Sequence, residues 1–377
     1  MDFDLSEDQK IMKKSVHDFL TKEFPKDVVR TIIESDEGYS TELWQKMADL
    51  GWLGLIFPEK YGGSEGSFLD LIILLEELGH NICPSPFFPT IVLCGLPILI
   101  AGNQEQKKEF LPKIVSGKMI LTLALTETSV SYDVTSLKVK ARLSNGEYVI
   151  KGTKLFVPYA NVADYLLCVC RTKKLVNSEE GITILIVNAK DSAIKYIPLN
   201  TLVHDKQYEV LFDNVQVSEK NILGEIDHGY PIVKYILEKA ALARCAEMIG
   251  GAQAVMDMAL QYAKKRIQFG HPIGSFQAIR HYFVNMWTDI HGSRMLVYKA
   301  AWKVSKGIPA DMEVAAAKAR VGESYRRVTI LGHQIFGGIG FTMEHDMHLY
   351  HRRSIAGDLE FGNGDLHREV VARELGL

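Results

Sequence analysis

The spacing of the hydrophobic residues changes twice along this chain of 377 residues, which limits the folds that it can adopt. Apolar residues recur at helical spacing to about Gly117, alternate over residues 119–224 and return to helical spacing from Gly229. This order predicts an α+β fold, mostly α. We expect an N-terminal helical domain at 1–118, a middle antiparallel β-domain at 119–225 and a C-terminal four-helix bundle at 226–377.

Local signals agree with this division. Ser6 followed by Gln9 is typical of a capping box that begins a helix, and Asn145 followed by Gly146 predicts a tight hairpin. Residues 87–102 are strongly apolar but short for a membrane span and interrupted by two prolines, so we expect buried core there. Residues 173–180 are expected to form an exposed loop between strands.

Composition and charge exclude several classes of protein. A net charge of −3 is opposite to the basic surface that nucleic-acid binding requires. The first residues lack the basic and apolar segments of a signal peptide, and the five cysteines have neither disulfide nor metal-site spacing. We therefore expect a cytoplasmic protein without a membrane span or a nucleic-acid partner.

Four short motifs connect the chain to a known family. They are Leu-Thr-Glu at 125–127, Lys-Leu-Phe-Val-Pro at 154–158, Arg-Ile-Gln-Phe-Gly at 266–270 with Ser-Phe-Gln at 275–277, and Gln-Ile-Phe-Gly-Gly-Ile-Gly-Phe at 334–341. Over essentially its full length the chain resembles the acyl-CoA dehydrogenase family. The last two motifs, at the right separation in a helical region, are specific together, whereas any one alone would be weak.

This resemblance implies a flavoenzyme. In the family, a carboxylate removes the α-proton of an acyl-CoA thioester, and the β-hydrogen leaves as hydride to the flavin of FAD. An electron-transferring flavoprotein is the usual acceptor, and the resemblance implies a tetramer built as a dimer of dimers. Whether the subunits are identical stays open.

The residues that the resemblance assigns to FAD divide into two groups. One group reaches across a subunit interface to the pyrophosphate and adenosine of a neighbouring FAD, and it is kept here: Arg266, Phe269, Gln277, Gln334, Gly337 and Gly338. In the other group, which holds the flavin ring within the same subunit, Thr126 is kept. The flavin-bonding threonine is replaced by Pro158, which has no hydroxyl, and the segment at 128–132 also departs from the family.

The catalytic glutamate of the family is missing from both of its usual positions. Phe361 occupies the common position, and Ala240 occupies the alternative position on the helix that opens the bundle. A phenyl ring and a methyl group cannot accept a proton, so the base is unassigned. The candidate replacements are Glu247, Glu344 and Asp365, with Glu238 and Glu360 as neighbours of the two positions.

No metal site is expected from the sequence. His345, His348, His351 and His367 lie close together along the chain but lack partners at metal-ligand spacing, which favours surface or helix-capping roles.

Three hypotheses about function follow. The first is an FAD-dependent acyl-CoA dehydrogenase with a relocated base. The second is a non-catalytic partner subunit that completes the FAD site of a sister chain, because the residues donated across the interface are kept while its own site has changed. The third is a CoA-ester-binding or scaffold protein without redox activity.

Overall fold

A computed structural model describes residues 4–128, 132–173 and 178–377. The helices are α1 (Glu7–Glu23), α2 (Lys26–Glu34), α3 (Thr41–Asp49), α4 (Phe68–Asn81), α5 (Leu96–Ala101), α6 (Gln104–Val115), α7 (Tyr230–Lys265), α8 (Gln277–Ser305), α9 (Asp311–Phe336), α10 (Met347–Leu359) and α11 (Gly364–Glu374). The strands are β1 (Leu121–Ala124), β2 (Lys140–Ser144), β3 (Glu147–Pro158), β4 (Tyr165–Arg171), β5 (Ile182–Asn188), β6 (Ile194–Leu199), β7 (Gln207–Ser218), β8 (Ile222–Leu223), β9 (Ile267–Gln268) and β10 (His271–Pro272). This order of elements confirms the α+β, mostly α, fold class. Half of the predicted loop at 173–180, residues 174–177, lies outside the described residues.

The chain forms two compact units, each assembled from separate stretches of sequence. One unit contains Met1–Arg30, Ser67–Cys83 and Ala241–Leu377, and the other contains Thr31–Gly66 and Pro84–Ala240. The predicted boundaries at residues 118 and 225 follow the order of the elements along the chain rather than these two units.

The first unit is helical. The side-chain oxygen of Ser6 accepts from the Gln9 backbone N–H at 3.2 Å and the Gln9 side chain accepts from Ser6 N–H at 3.0 Å, which confirms the predicted capping box of α1. Helix α1 packs on α4, α4 on α8, and α9 contacts α8, α10 and α11. Helices α4 and α7 approach so closely that a Cβ on Gly250 would lie 1.8 Å from the Glu76 carbonyl oxygen. Only glycine fits at this crossing.

The second unit contains an eight-stranded sheet in the order β6-β7-β3-β2-β4-β5-β8, with β1 pairing parallel to β4. Strands β2 and β3 form the predicted hairpin, in which Asn145 (φ 53°) and Gly146 (φ 82°) both adopt left-handed conformations. The Asn-Gly pair suits this turn because asparagine and glycine tolerate positive φ better than other residues.

The apolar segment predicted to be core is buried in the second unit. Phe88–Gly95 forms a π-helix that continues into α5, and every residue of the π-helix is buried. The Thr90 hydroxyl donates to the Leu121 carbonyl oxygen at 3.2 Å and so links this segment to β1. Within the described parts of the chain, no helix has the length and apolar character needed to cross a membrane.

An ion pair lies in the interior of the β-unit. The Lys154 ammonium group donates to Glu127 Oε1 at 2.7 Å and to the Leu125 carbonyl oxygen at 2.9 Å, with its side chain fully buried. The Glu127 carboxylate also accepts backbone N–H groups of Lys138 and Val139, at 2.7 and 3.0 Å. These bonds fix two of the family-like motifs beside each other, because Glu127 ends one motif and Lys154 begins the other.

We predict that Lys154→Met destabilises the protein by about 3–5 kcal/mol, because Glu127 would remain buried as an unpaired carboxylate. Lys151→Met on the same strand is the matched control, since its side chain is 71% exposed and its ion pair with Asp213 spans 3.9 Å. Urea unfolding followed by circular dichroism measures the difference. Adding Glu127→Gln should restore part of the loss, and equal unfolding midpoints for the Lys154 and Lys151 variants would contradict the assigned role.

Candidate active site

The position that carries the base in the family lies in a tight loop between α10 and α11. Helix α10 ends at Leu359, and Phe361 (φ 57°) and Gly362 (φ 97°) both have positive φ. Asn363 then caps α11 by accepting the Leu366 backbone N–H at 3.1 Å. A left-handed conformation is costly for a phenylalanine, so this loop is held by its surroundings.

Two side chains hold the loop. The buried Lys318 ammonium group donates to the carbonyl oxygens of Asp358 and Gly362, at 2.8 Å each. The His367 Nε2 atom lies 2.9 Å from the Phe361 carbonyl oxygen. Burial lowers the pKa of Lys318, which the nearby acidic groups partly offset. The backbone at 361 is thus fixed, but its side chain supplies no proton acceptor.

Next to this loop, one arginine joins two acids. The Arg244 guanidinium lies 2.6 Å from Glu360 Oε2 and also binds the Glu247 carboxylate. Arg244 and Glu247 are three residues apart on α7 and therefore lie on one face of the helix. Burial raises the pKa of Glu247, and the charge of Glu360 adds to the rise while Arg244 opposes it. We call these three residues the acid cluster.

Three other candidate bases lie in surroundings that differ from the acid cluster. Glu344 is exposed, and Asp365 is exposed and pairs with Arg368 at 2.7 Å. Glu238 pairs with the adjacent Lys239 at 2.7 Å. Of the candidates, Glu247 alone is joined through an arginine to the residue next to Phe361. The sequence did not predict a role for Arg244 or its pairing with Glu247 and Glu360. Arg244 lies one helical turn after Ala240, so its position on the same helix face could have been predicted.

The arginine motif forms an exposed turn after α7. Arg266 directly follows the helix, and strands β9 and β10 pair around Phe269 (φ 53°) and Gly270 (φ 81°). The Phe269 side chain is 91% exposed and meets the edge of Phe276 at 6.2 Å between ring centroids. Gln277 begins α8 and is exposed. A cation, an aromatic ring and an amide are therefore presented outward by one short segment.

The glycine motif is exposed in a similar way. Helix α9 ends at Phe336, Gly337 (φ 65°) follows, and a Cβ at Gly337 or Gly338 would meet no atom within 4 Å. Gln334 is exposed. The rings of Tyr262 and Phe336 lie 5.0 Å apart, which places the end of α7 beside the end of α9. The structure thus brings the two motifs into one region, where backbone and side-chain donors are open to an anionic ligand.

The remaining motifs lie in the β-unit. Thr126 is exposed, and its carbonyl oxygen accepts the Leu155 backbone N–H at 2.8 Å, so the motifs at 125–127 and 154–158 are neighbours. Pro158 ends β3. Phe156, which the sequence did not single out, is 57% exposed with φ 53° at an irregularity of the β3–β7 pairing. Such a ring offers an open face for stacking against a planar group. The departure at 128–132 lies partly outside the described residues.

The histidines near the end of the chain bind protein groups. His345 Nδ1 accepts the Met347 backbone N–H at 3.1 Å, a helix-capping role as expected. His348 and His367 are buried rather than on the surface, and they lie 3.1 and 2.9 Å from the carbonyl oxygens of Met343 and Phe361. These two therefore do not have surface roles, and each lies near the start of its helix beside a backbone carbonyl, which is closer to the expected helix-capping role.

Comparison with known proteins agrees with this arrangement. Residues 6–118 match the description "Acyl-CoA dehydrogenase, N-terminal domain", residues 122–215 match the middle domain and residues 227–376 match the C-terminal domain. The chain belongs to the acyl-CoA dehydrogenase family, whose members are FAD-dependent oxidoreductases.

Individual relatives cover the whole chain. A short-chain-specific acyl-CoA dehydrogenase of Megasphaera elsdenii is 32% identical, covering all of both chains. The solved butyryl-CoA dehydrogenase of the same organism is 30% identical, covers all of both chains and superposes with a TM-score of 0.93. An FAD complex of PigA is 26% identical with a TM-score of 0.92, again over both full chains.

We predict that Arg244→Met lowers stability more strongly as pH rises. The raised pKa means that folded Glu247 keeps its proton to higher pH than in the unfolded chain, so its ionisation destabilises the fold. Without Arg244, two ionised carboxylates lose their cation, at a cost of about 2 kcal/mol near pH 8 and less near pH 4.5. Urea midpoints at both pH values measure this. Arg373→Met near the end of α11 is the control, and a pH-independent loss in Arg244→Met would count against the acid cluster.

Proposed function

We propose that this chain binds FAD and catalyses the α,β-dehydrogenation of an acyl-CoA thioester. The observation that carries the proposal is the exposed region made by the arginine and glycine motifs at the ends of α7 and α9. Six residues given to FAD by the family resemblance lie in these segments and their neighbours, on the surface of the helical unit. When bound, FAD supplies the acceptor for the hydride that leaves the β-carbon.

The protein's own groups suit a dinucleotide diphosphate. Arg266 provides a fork of N–H donors at the end of α7, and Gly337 and Gly338 leave backbone groups approachable because they have no side chain. Gln277 and Gln334 add amide donors and acceptors, and Phe269 offers a ring face. These exposed groups fit a cofactor shared with a second subunit, so we propose a tetramer, homo- or heteromeric.

We expect this chain to hold the flavin ring of its own FAD more weakly than the family pattern does. Thr126 has its hydroxyl and lies on the exposed edge beside Leu155, while Pro158 has neither a hydroxyl nor an N–H to offer. We expect Phe156 to compensate in part by stacking. We further propose an electron-transferring flavoprotein as the electron acceptor, as the resemblance implies, and a cytoplasmic location, because the five cysteines are free.

For the base we propose Glu247, assisted by the acid cluster. A carboxyl whose pKa is raised by burial is a better proton acceptor for a carbon acid than an exposed one, provided that it can ionise. Arg244 favours this ionisation, since its positive charge offsets part of the negative charge on Glu247 and Glu360. A group that serves as the base must also lie within reach of the α-proton, and loss of bleaching in Glu247→Gln would be the sign of this reach.

The partner-subunit function has one observation in its favour. Phe361 and Ala240 leave both family positions without a carboxylate, while the six exposed cofactor residues are all present. A chain with these features would complete the FAD site of a sister chain without turning over substrate itself.

We predict that Arg266→Ala lowers the FAD content of the purified, assembled protein by at least about tenfold, because the diphosphate would lose a charge-assisted bidentate contact. Flavin absorbance per chain after gel filtration is the measurement. Arg142→Ala, which removes an exposed arginine of β2 in the other unit, is the matched control. A flavin content equal to that of this control would remove Arg266 from the cofactor site.

We predict that Glu247→Gln lowers the rate of flavin bleaching by acyl-CoA by about 10²–10⁴-fold, the usual contribution of a general base. FAD content should stay unchanged, which separates loss of the base from loss of the cofactor. Glu344→Gln, at an exposed site, is the control. Phe361→Glu should raise the rate on simple acyl-CoAs by restoring the family base.

Other results would change the proposed function or the proposed base. If wild type never bleaches but Phe361→Glu does, the partner-subunit function is correct. If neither bleaches although both hold FAD, the substrate pocket as well as the base has diverged. Equal rates for Glu247→Gln and Glu344→Gln would exclude Glu247 as the base.

A further inference from the structure

A second polar site lies in the helical unit and is built from residues that the proposed chemistry does not use. A cavity of about 480 Å³ is lined by residues of α1, α4, α7 and α8. Three of its lining residues are His17, Glu77 and His80, and one potential ligand atom from each lies within 4.8 Å of the other two. Glu77 and His80 are three residues apart on α4, so they share a face, and His17 approaches them from α1.

The tautomer of His80 is favoured by a neighbouring carboxylate. Its Nε2 atom lies 3.4 Å from Asp257 Oδ2, so the carboxylate favours the tautomer with hydrogen on Nε2. The Nδ1 atom is then a lone-pair donor, and among the described residues this buried atom has no hydrogen-bond partner. A histidine held by a carboxylate on one nitrogen, with the other nitrogen available, is the arrangement found around protein-bound zinc.

The other two ligands are already close together. His17 Nδ1 lies 2.8 Å from Glu77 Oε2, a separation that two ligands of one ion can share, and the rings of His17 and His80 are 5.1 Å apart edge to face. Glu77 is 5% exposed, so its carboxylate is held by its surroundings. Small side-chain rotations of His17 and His80 would bring all three ligand atoms to one ion.

The nearby cations, Lys13 and Arg294, pair mainly with another acid, Glu76. Lys13 Nζ lies 2.8 Å from Glu76 Oε1 but 3.6 Å from Glu77 Oε1, and Arg294 binds Glu76 at 3.1 Å. The Tyr298 hydroxyl also donates to Glu76, at 2.8 Å. Both cations thus lie closest to Glu76, and Glu77 Oε2 and the carboxylate of Asp257 are left to offset the charge of a cation between the histidines.

We propose that His17, Glu77 and His80 form a site for one divalent transition-metal ion, with Asp257 orienting His80. Two imidazoles and one carboxylate are ligands that zinc accepts, with water completing the coordination. The site joins α1 to α4 and so fastens the start of the chain to the helical unit. It departs from the sequence-based expectation of no metal, which rested on the cysteines and on the histidines near the other end of the chain.

The test is a zinc titration of the untagged, full-length protein after chelator treatment, in competition with a chromophoric zinc indicator. We expect one Zn²⁺ per chain with a Kd of about 1 μM or lower, a rise in thermal midpoint with Zn²⁺, and no such rise with Mg²⁺. His80→Gln should weaken binding at least about tenfold, and Asp257→Asn should weaken it less. His291→Gln, at an exposed histidine of α8, is the matched control.

Two further measurements keep the test decisive. The titrations are run in a Cys83→Ser background, because Cys83 is the one described cysteine that is not buried. Co²⁺ replacing Zn²⁺ should give visible absorption bands that His17→Gln alters and His291→Gln does not. Equal Zn²⁺ affinity in His80→Gln, His17→Gln and His291→Gln would mean adventitious binding only and would overturn the proposal. FAD content and bleaching are expected to be unchanged in every variant, so this result is independent of the proposed function.

Discussion

The buried carboxylate of Glu76 is the interaction on which the helical unit depends. It is 2% exposed and binds Lys13 of α1 and both Arg294 and Tyr298 of α8, so one side chain on α4 connects three helices. Although burial alone would raise its pKa, Arg294 and Lys13 lower it below the ordinary value. This stabilisation is therefore present at neutral pH and is lost as pH falls through the lowered pKa.

The backbone of Glu76 also determines how closely a fourth helix, α7, can approach α4. Gly250 lets α7 approach the Glu76 carbonyl oxygen, and Gly79 lets α4 approach the Glu247 backbone, since a Cβ there would lie 2.1 Å from the Glu247 carbonyl oxygen. The positions of Arg244 and Glu247 follow from this crossing. The acid cluster includes residues of α7 and the proposed metal site includes residues of α4, so both depend on the two helices that meet at this crossing.

Much of the fold could be predicted from the sequence because its signals are local. The capping box at Ser6 and the hairpin at Asn145 depend on residues a few positions apart, and both are confirmed. Strand β6 has no clear sequence signal, because only its first residue is buried and its apolar residues show no regular alternation. The π-helix at Phe88–Gly95 was predicted only as buried core, since a wholly apolar segment has no period that distinguishes one helix type from another.

The candidate active site was less predictable than the fold, because its contacts join residues that are far apart in the sequence. Phe361 and Ala240 were identified by comparison with a family pattern, but the pairing of Arg244 with Glu360 spans more than a hundred residues and has no local signature. The same holds for His17 and Glu77, which lie sixty residues apart. The role of every such residue depends on a tertiary contact that single-sequence patterns do not contain.

The turn at Phe269 has a consequence for how this protein can be engineered. A nearly fully exposed phenylalanine in a left-handed conformation, followed by a left-handed glycine, stabilises little within one chain and costs about 1 kcal/mol relative to asparagine or glycine there. A screen that rewards only heat resistance of the isolated chain would therefore replace this residue early. Thermostability and retention of the ring are opposing demands at this position, and selection for both has to include a readout of the assembled protein.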